Sequence, residues 1–415
     1  MFTPILIVGA GQAAAQAVET LRKRGHVGPL TVVGDENLLP YQRPPLSKKY
    51  LAGQLDADRL LIRHAAHYAE HGVDLRLGFA AVSLDAAKRR VEVADGSHLE
   101  YDKLLLATGS RPRELVVPGA ELAGVYYLRT AGDVDRVRAE LRPGRRAVIV
   151  GGGYIGLEVA ATCREAGLEV TVVEATDRVM SRVVSPVVSR FYEADHARHG
   201  VQIHCGTRVR ELAAAGNGGM QRVAAVRLAD GREIPADFVL IAVGVEPVDS
   251  LARNAGLHCD DGIVVNEHCR SSDPHIWAAG DCTRHPSVHY GMQIRLESVD
   301  NAFEQGTSAA LNLLGLPTVH DKVPWFWSDQ FDLKMVIVGL RDGADQEIVR
   351  GDPASRAFSV CYLKRGELVA VETVNHTRDQ MAARKLILAR ARPDPARLAD
   401  PNSALKDSVT VDNNR

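Results

Sequence analysis

Cysteine is scarce, and what there is stands in the wrong places for thiol or metal chemistry. The six are Cys163, Cys205, Cys259, Cys269, Cys282 and Cys361, and none precedes Cys163. No two form C-x-x-C or the closely spaced sets that hold zinc or an iron–sulfur cluster. Scattered thiols of this kind read as core residues in a reducing compartment, so cytoplasm is the expected location and no metal site is expected. An excess of one charge is also missing. Lys and Arg number 50 and Asp and Glu 52, a formal charge of −2, which makes no overall case for nucleic acid or an anionic membrane. No apolar run approaches the ~20 residues of a membrane helix. Phe2–Val8 is apolar but runs straight into a glycine turn, with no basic flank or cleavage site. It does not read as a signal peptide. At 415 residues the chain is expected to form two or three domains.

What the chain does have is a glycine turn of a particular kind. Ala147–Ala160 reads AVIVGGGYIGLEVA. Ala147–Val150 is expected as a buried strand and Leu157 onward as a helix. Gly151, Gly153 and Gly156 make G-x-G-x-x-G. The first glycine allows the tight turn, the second lets the backbone approach a pyrophosphate, and the third lets helix and strand pack closely. The free N–H groups of the helix start then face phosphates. Such a motif alone is weak, and its context decides. Glu169–Val173 reads as the next strand and Glu174 ends it, where an acid would hold an adenine ribose by its hydroxyls.

The device occurs twice. Ile5–Val8 is a strand, Gly9-Ala10-Gly11-Gln12-Ala13-Ala14 gives G-x-G-x-x-A, and Ala13–Arg24 reads as a helix. Leu30–Val33 is the next strand, and Asp35 comes one residue later than its counterpart Glu174. Each copy also has a return strand: Asp102 to Pro112 and Asp237 to Pro247 both read acid, apolar strand, Ala-x-Gly, proline. This is an internal duplication of ~140 residues, each unit a βαβ turn with an inserted β-meander. Pro44 and Pro45 exclude a helix interior over Tyr41–Lys48. Leu60–Glu70, Glu297–Leu314 and His376–Ala391 read as helices, Val336–Leu340, Phe358–Leu363 and Leu368–Val374 as antiparallel strands. The polar stretch Pro393–Arg415 is expected to be loosely held. The fold class is therefore α/β: two Rossmann-like dinucleotide-binding domains plus a C-terminal α+β domain. The expected boundaries are 1–111 with 246–319, 112–245, and 320–415.

Two dinucleotide turns imply two dinucleotides, a diffusing hydride carrier and a bound acceptor. FAD in the first unit and a nicotinamide in the second satisfy both, because a flavin takes two electrons together and releases them singly. The set G-x-G-x-x-A, RPPLSK, ATGSRPR, GGGYIGLE, AAGD and WFWSDQ resembles the FAD-dependent ferredoxin reductases that serve bacterial cytochrome P450s and ring-hydroxylating dioxygenases. The resemblance extends to the putidaredoxin reductase and rubredoxin reductase kin, in the pyridine nucleotide-disulfide oxidoreductase superfamily. The likeness covers essentially the whole chain. It implies a glutathione-reductase-like fold, FAD and NADH as cofactors, and a small acidic [2Fe–2S] ferredoxin as partner, in a monomer or weak dimer.

The resemblance assigns residues as follows. Gly9, Gly11 and Ala13 would meet the FAD pyrophosphate, Asp35 the adenosine ribose, and Ala81 the adenine by its backbone. Arg43 and Lys48 would lie on the loop over the flavin, with Ala107, Thr108 and Gly109 beside the cofactor. Arg129 would reach its phosphates and Asp281 its ribityl chain. Val299 would offer backbone to the pyrimidine edge at a helix N-terminus, and Trp327 would lie near the isoalloxazine. The nicotinamide side would comprise Gly151, Gly153, Tyr154, Ile155, Gly156, Glu174, Arg182 and Gly244. A lysine at the flavin edge would be desolvated and need a counter-charge. Lys48 is therefore expected to pair with Glu158, the two shaping the nicotinamide pocket as catalytic residues. Glu174 would repel a 2′-phosphate and select NADH, although Arg178 and Arg182 stand nearby in sequence. Arg63, Arg384 and Lys385 are candidates for steering an acidic partner.

Other classes fit less well. Disulfide reductases of this fold need a reactive cysteine where this chain has Pro44 and Pro45. Monodehydroascorbate reductases are not excluded by motif. A signalling or scaffold flavoprotein resembling apoptosis-inducing factor would want a targeting sequence and basic DNA-facing patches.

Overall fold

The computed structural model describes residues 3–215 and 221–409. They group into two compact units. The first comprises Met1–Gln42, Ala57–Arg111 and Val245–Trp325, the second Arg43–Asp56, Pro112–Gly244 and Phe326–Arg415. Among the described residues, no helix is long and apolar enough to cross a membrane.

The first unit is built on a five-stranded parallel sheet in the order Ile276–Ala278, Lys103–Leu106, Ile5–Val8, Leu30–Gly34, Val73–Leu77. Ile5–Val8 is central and buried on both faces, which is why it is apolar throughout and does not alternate. Ile5 and Ile7 join one core with the helices Gln12–Lys23 and Val299–Leu313. Leu6 and Val8 join the other, with Leu84, Val91 and Val93 of a three-stranded antiparallel meander.

The second unit repeats the plan: Val201–His204, Glu169–Val173, Arg146–Val150, Phe238–Ile241, Val125–Tyr127, again all parallel. Its meander is Val209–Ala214, Val223–Leu228 and Glu233–Pro235. The duplication thus extends to strand order for four of the five strands, all but the edge strands Ile276–Ala278 and Val125–Tyr127. The fifth differs, coming from later in the chain in the first unit and from earlier in the second. The first strand of each meander, Ala81–Asp85 and Val209–Ala214, goes beyond the sequence reading. Both carry partly exposed, weakly alternating residues, which leaves no clear period of two.

The second unit also contains a five-stranded sheet in the order Trp325–Gln330, Leu333–Gly339, Glu367–Val374, Ala357–Lys364, Gln346–Asp352, with antiparallel pairing across the last four strands. Thr377–Leu388 packs on it through Ala383 and Ile387. The expectation of a loosely held end is overturned as far as residue 409; residues 410–415 lie outside the described set. Pro395–Ala399 is helical and Leu405–Ser408 forms a 3-10 turn, with Leu398 and Leu405 buried. The anchor is Arg350, itself 1% exposed, which donates to the carbonyls of Leu398, Asp400 and Ser403 and to Asp379 Oδ2. Elsewhere the helix bounds shift by small amounts. One starts at Tyr154, not Leu157, and Leu60–Glu70 resolves into Ala57–Leu60 and Ala65–Glu70.

A buried acid sets a pH dependence. Glu372 is 1% exposed on the strand Glu367–Val374. Its Oε2 accepts from the Ser185 backbone N–H at 3.1 Å. Burial pushes this carboxyl up to about 7 from its ordinary 4.5, against the lowering pull of Ser185, Tyr362 and Arg341. Between those values the folded chain holds a proton that the unfolded chain releases, so stability falls as pH rises through that window, by up to about 3 kcal/mol. Glu372→Gln is expected to gain about 2–3 kcal/mol over the parent at pH 8 and almost nothing at pH 4.5. Urea denaturation at the two pH values checks this, and an equal effect at both would count against it.

Candidate functional site

The two glycine turns are built alike. Gly9 N donates to Val33 O at 2.8 Å and Ala107 N to Val8 O at 2.7 Å; Gly151 N donates to Val173 O at 2.8 Å and Ala242 N to Val150 O at 2.7 Å. Gly9 and Gly151 have φ of 107° and 109°. A Cβ there would stand 2.1 Å from Ala107 O and 2.3 Å from Ala242 O, so conformation and space both demand glycine. At the third position a Cβ on Gly156 would lie 2.0 Å from Gly151 O; the first copy accommodates the methyl of Ala14, fully buried.

Gly11 and Gly153 are the N-caps of Gln12–Lys23 and Tyr154–Glu165, and neither offers a side-chain acceptor. Thr130, Ser185 and Ser298 do accept at their own helix starts. A Cβ built at Gly11 or Gly153 would meet no protein atom within 4 Å. Two helix starts with uncapped N–H groups and bare backbone in front are suited to pyrophosphates. The residues present therefore fit two dinucleotides.

The acids are not equivalent. Val33 and Val173 accept from matching glycines, so the true counterpart of Glu174 is Gly34, and Asp35 stands one residue further on, exposed. Glu174 Oε2 accepts from Gly152 N (2.7 Å), and Oε1 from Thr176 N and Oγ1 (both 2.8 Å). Arg178 is committed to its own loop, donating to Ser189 Oγ at 2.7 Å, Ser181 O at 2.9 Å and Val184 O at 3.1 Å. Arg182 is exposed and comes near Gly244. Of the two arginines, only Arg182 is left to face a coenzyme.

Other first-unit candidates lie at strand ends and at a helix start. Asp281 follows Gly280, whose N–H donates to Gln305 Oε1 at 2.8 Å, and Asp281 Oδ2 accepts from Ser110 Oγ at 2.7 Å. Thr108 Oγ1 donates to Val248 O at 2.6 Å, and Val248 N to Gly109 O at 2.9 Å. Val299 opens the helix Val299–Leu313 behind the cap of Ser298. Ala13 is a packing position: it is buried, and a Cβ on Gly306 would lie 2.6 Å from its carbonyl oxygen. Ala81 begins a meander strand opposite Val93. Arg63 is exposed, 3.6 Å from Glu19.

In the second unit, the prolines of RPPLSK turn Pro44–Ser47 into a 3-10 helix. That turn delivers Lys48 Nζ to 2.6 Å from Glu158 Oε2. Ser47 Oγ donates to the same oxygen at 2.5 Å and Ser328 Oγ to Oε1 at 2.6 Å. Thr162 Oγ1 holds Ser47 O at 2.9 Å. Glu158 is 5% exposed, so it is no solvated helix charge. A buried carboxylate here receives an ammonium and two hydroxyls, the degree of compensation that burial requires. Arg43 Nη1 donates to Arg129 O at 2.6 Å, and Arg129 N to Asp133 Oδ2 at 3.0 Å. Tyr154 meets Phe326 in a tilted ring contact with centroids 4.5 Å apart, and Ile155 beside it is exposed. Trp327 is half-buried on the strand Trp325–Gln330. Arg384 and Lys385 lie on Thr377–Leu388, half-buried and exposed.

Sequence reasoning missed Ser47, Thr162, Ser328 and Gln305. Ser47 and Ser328 stood inside RPPLSK and WFWSDQ, but those motifs drew attention to Lys48 and Trp327. Asp195, His199 and Asp332 also converge, their ligand atoms within 4.8 Å of one another. The cation there is a guanidinium: Arg356 Nη2 lies 3.2 Å from Asp195 and 2.6 Å from Asp332.

Residues 3–306 match the pyridine nucleotide-disulphide oxidoreductase family, and residues 325–409 the reductase C-terminal family. Rhodocoxin reductase of Rhodococcus erythropolis is 44% identical over 98% of this chain and 94% of its own. Putidaredoxin reductase of Pseudomonas putida is 41% identical over 98% and 97%. Among solved structures, the reductase in a covalent putidaredoxin reductase–putidaredoxin complex superposes with a TM-score of 0.94 at 41% identity, over 98% of this chain and 97% of that one. The ferredoxin reductase of the CYP199A2 system of Rhodopseudomonas palustris gives the same score and identity, over 98% and 100%. The chain therefore belongs to the pyridine nucleotide-disulphide oxidoreductase family, among the members that end in a reductase C-terminal domain.

Proposed function

We propose that this chain is an FAD-dependent NADH:ferredoxin reductase that supplies electrons, through a [2Fe–2S] ferredoxin, to a cytochrome P450 or ring-hydroxylating dioxygenase. The observation that carries this is the pair of matched glycine turns, one per unit, in a chain whose relatives along their whole length are ferredoxin reductases. The turn at Gly9 and Gly11, with Asp35, Asp281, Thr108 and Val299, would hold FAD. The turn at Gly151, Gly153 and Gly156, with Glu174 and Gly244, would hold NADH. Bound FAD would accept a hydride from NADH and pass its electrons on singly. The chain's own residues would bind, orient and compensate charge. The helix starts at Gln12 and Tyr154 offer N–H groups to phosphate oxygens. Glu174, already ordered by Gly152 and Thr176, offers its carboxylate oxygens to a ribose diol. Lys48, fixed by Glu158, places one cation at a set position. Domain limits of 1–111 with 246–319, 112–245 and 320–415 remain our proposed division, and cytoplasm the proposed location.

The test is a screen of purified [2Fe–2S] ferredoxins against the holoprotein. NADH should bleach the flavin anaerobically within seconds, and a ferredoxin should reoxidise it stepwise. Rates should fall with added salt if the partner is acidic. A long-lived NADH charge-transfer complex that no ferredoxin relieves would overturn the reading. NADH should be preferred over NADPH by about 100-fold in kcat/KM, because a 2′-phosphate would meet the Glu174 carboxylate. Comparable efficiency with both coenzymes would refute that assignment.

A further inference from the structure

The Lys48–Glu158 pair does not end at Glu158. Ser328 Oγ, which donates to Glu158 Oε1, accepts from Gln330 Nε2 at 3.1 Å. Gln330 Oε1 lies 2.9 Å from His196 Nε2. Ser328 and Gln330 sit two residues apart on Trp325–Gln330, so both project from one face of that strand. His196 comes from the helix Pro186–Arg198. All three are buried, at 0–1% exposure.

The direction of this chain is fixed from one end. A carboxylate paired with an ammonium only accepts, so the Ser328 hydroxyl must donate to it. The Ser328 oxygen then has lone pairs for the Gln330 amide N–H. That turns the amide carbonyl toward His196, whose Nε2 must carry the proton. Burial lowers the His196 pKa, which keeps the ring neutral, and its Nδ1 makes no hydrogen bond. Every dipole along the line points at Glu158.

We propose that Ser328, Gln330 and His196 are positioning residues for the Lys48–Glu158 pair in flavin reduction by NADH. They pin Oε1, and so fix the rotation that presents Oε2 to Lys48. Without the Ser328 hydroxyl, Oε1 would be a buried oxygen without a donor, and the carboxylate would turn to share Lys48 and Ser47 between its two oxygens. The C-terminal sheet would thereby set the position of that cation. This rests on the NADH-to-FAD reading above and deepens it.

The test uses holoprotein with Ser328→Ala and Gln330→Met, the second close in volume and available should the first lose flavin. In anaerobic stopped-flow, each is expected to slow flavin reduction by NADH about 5- to 30-fold. NADH affinity and reoxidation by ferredoxin should stay within about twofold. In a Glu158→Gln background the same changes should add less than about twofold, because they act through that carboxylate. Independently of turnover, 15N NMR of histidine-labelled protein should show His196 as the Nε2–H tautomer. Both variants should lose that single tautomer. Full additivity with Glu158→Gln, an unaltered reduction rate, or a His196 protonated at Nδ1 in the parent would each overturn the proposal. Failure of every ferredoxin with the parent protein would instead overturn the function proposed above.

Discussion

Lys48→Met is expected to slow reduction of the flavin by NADH well over tenfold, with FAD still bound. Methionine keeps most of the volume of the lysine stem and removes the charge. Glu158 would keep Ser47 and Ser328 as donors but lose its only ion-pair partner among the described residues, at 2.6 Å. A buried carboxylate without a counter-charge is costly. The substitution thus removes the fixed cation and leaves the carboxylate to rearrange toward its remaining donors. An electrostatic role is worth most in such a water-poor setting. Rapid mixing of the variant with NADH under anaerobic conditions measures the step directly. An unchanged rate would sink the role of Lys48. Glu158→Gln should slow the same step, and the double variant should be little worse than either single one, because two residues acting as a unit are not additive. FAD content and thermal midpoint separate this from misfolding. The glycine turn proposed for FAD lies in the first unit and Lys48 in the second, so flavin content should survive the change.

Arg350→Ala should destabilise the fold by about 3–5 kcal/mol, more than Lys48→Met or Ser328→Ala. Its guanidinium donates to Asp379 and to three carbonyls of the final segment, in surroundings that admit almost no water. Asp379 Oδ2 also accepts from Ser359 Oγ at 2.9 Å and contacts His376 Nδ1 at 2.9 Å. Truncation would leave an incompletely paired buried carboxylate and take a charged donor from three carbonyls, of which that of Leu398 is buried and that of Asp400 keeps the Ser403 hydroxyl at 3.1 Å. The result should be a lower denaturant midpoint and fast proteolysis after residue 392. Replacing Arg350 and Asp379 together by apolar residues should recover part of the loss, since the unpaired charge is then absent. A stability within about 0.5 kcal/mol of the parent would show that the segment is held by its leucines alone.

Much of the site could be read along the chain because its determinants are local. Gly151 and Gly9 require positive φ and the absence of a Cβ, and those requirements are visible in three or four letters. The buried parallel strands are apolar without alternation, and the return strands repeat at matching distances. Those features revealed the duplication, the α/β class and the two dinucleotide turns. Glu174 was legible for the same reason, since it ends the strand that follows the turn and its helix. Asp35 was legible as an acid nearby, but its one-residue offset became meaningful only when Val33 and Val173 proved to be equivalent acceptors.

Residue order thus dictated backbone geometry and the chemistry that geometry invites. Which polar side chains meet was left to the packing of distant segments. Ser47, Glu158, His196 and Ser328 come from well-separated parts of the chain, and nothing in their spacing marks them as neighbours. They converge because a 3-10 turn, two helices and a strand of the C-terminal sheet pack in one unit. A buried charge is satisfied by whatever the packing brings within hydrogen-bonding reach, and hydrophobic burial, which does the packing, carries no direction. The same holds for residues 393–409. They look disposable by composition, yet one buried arginine from a strand 48 residues earlier holds them in place.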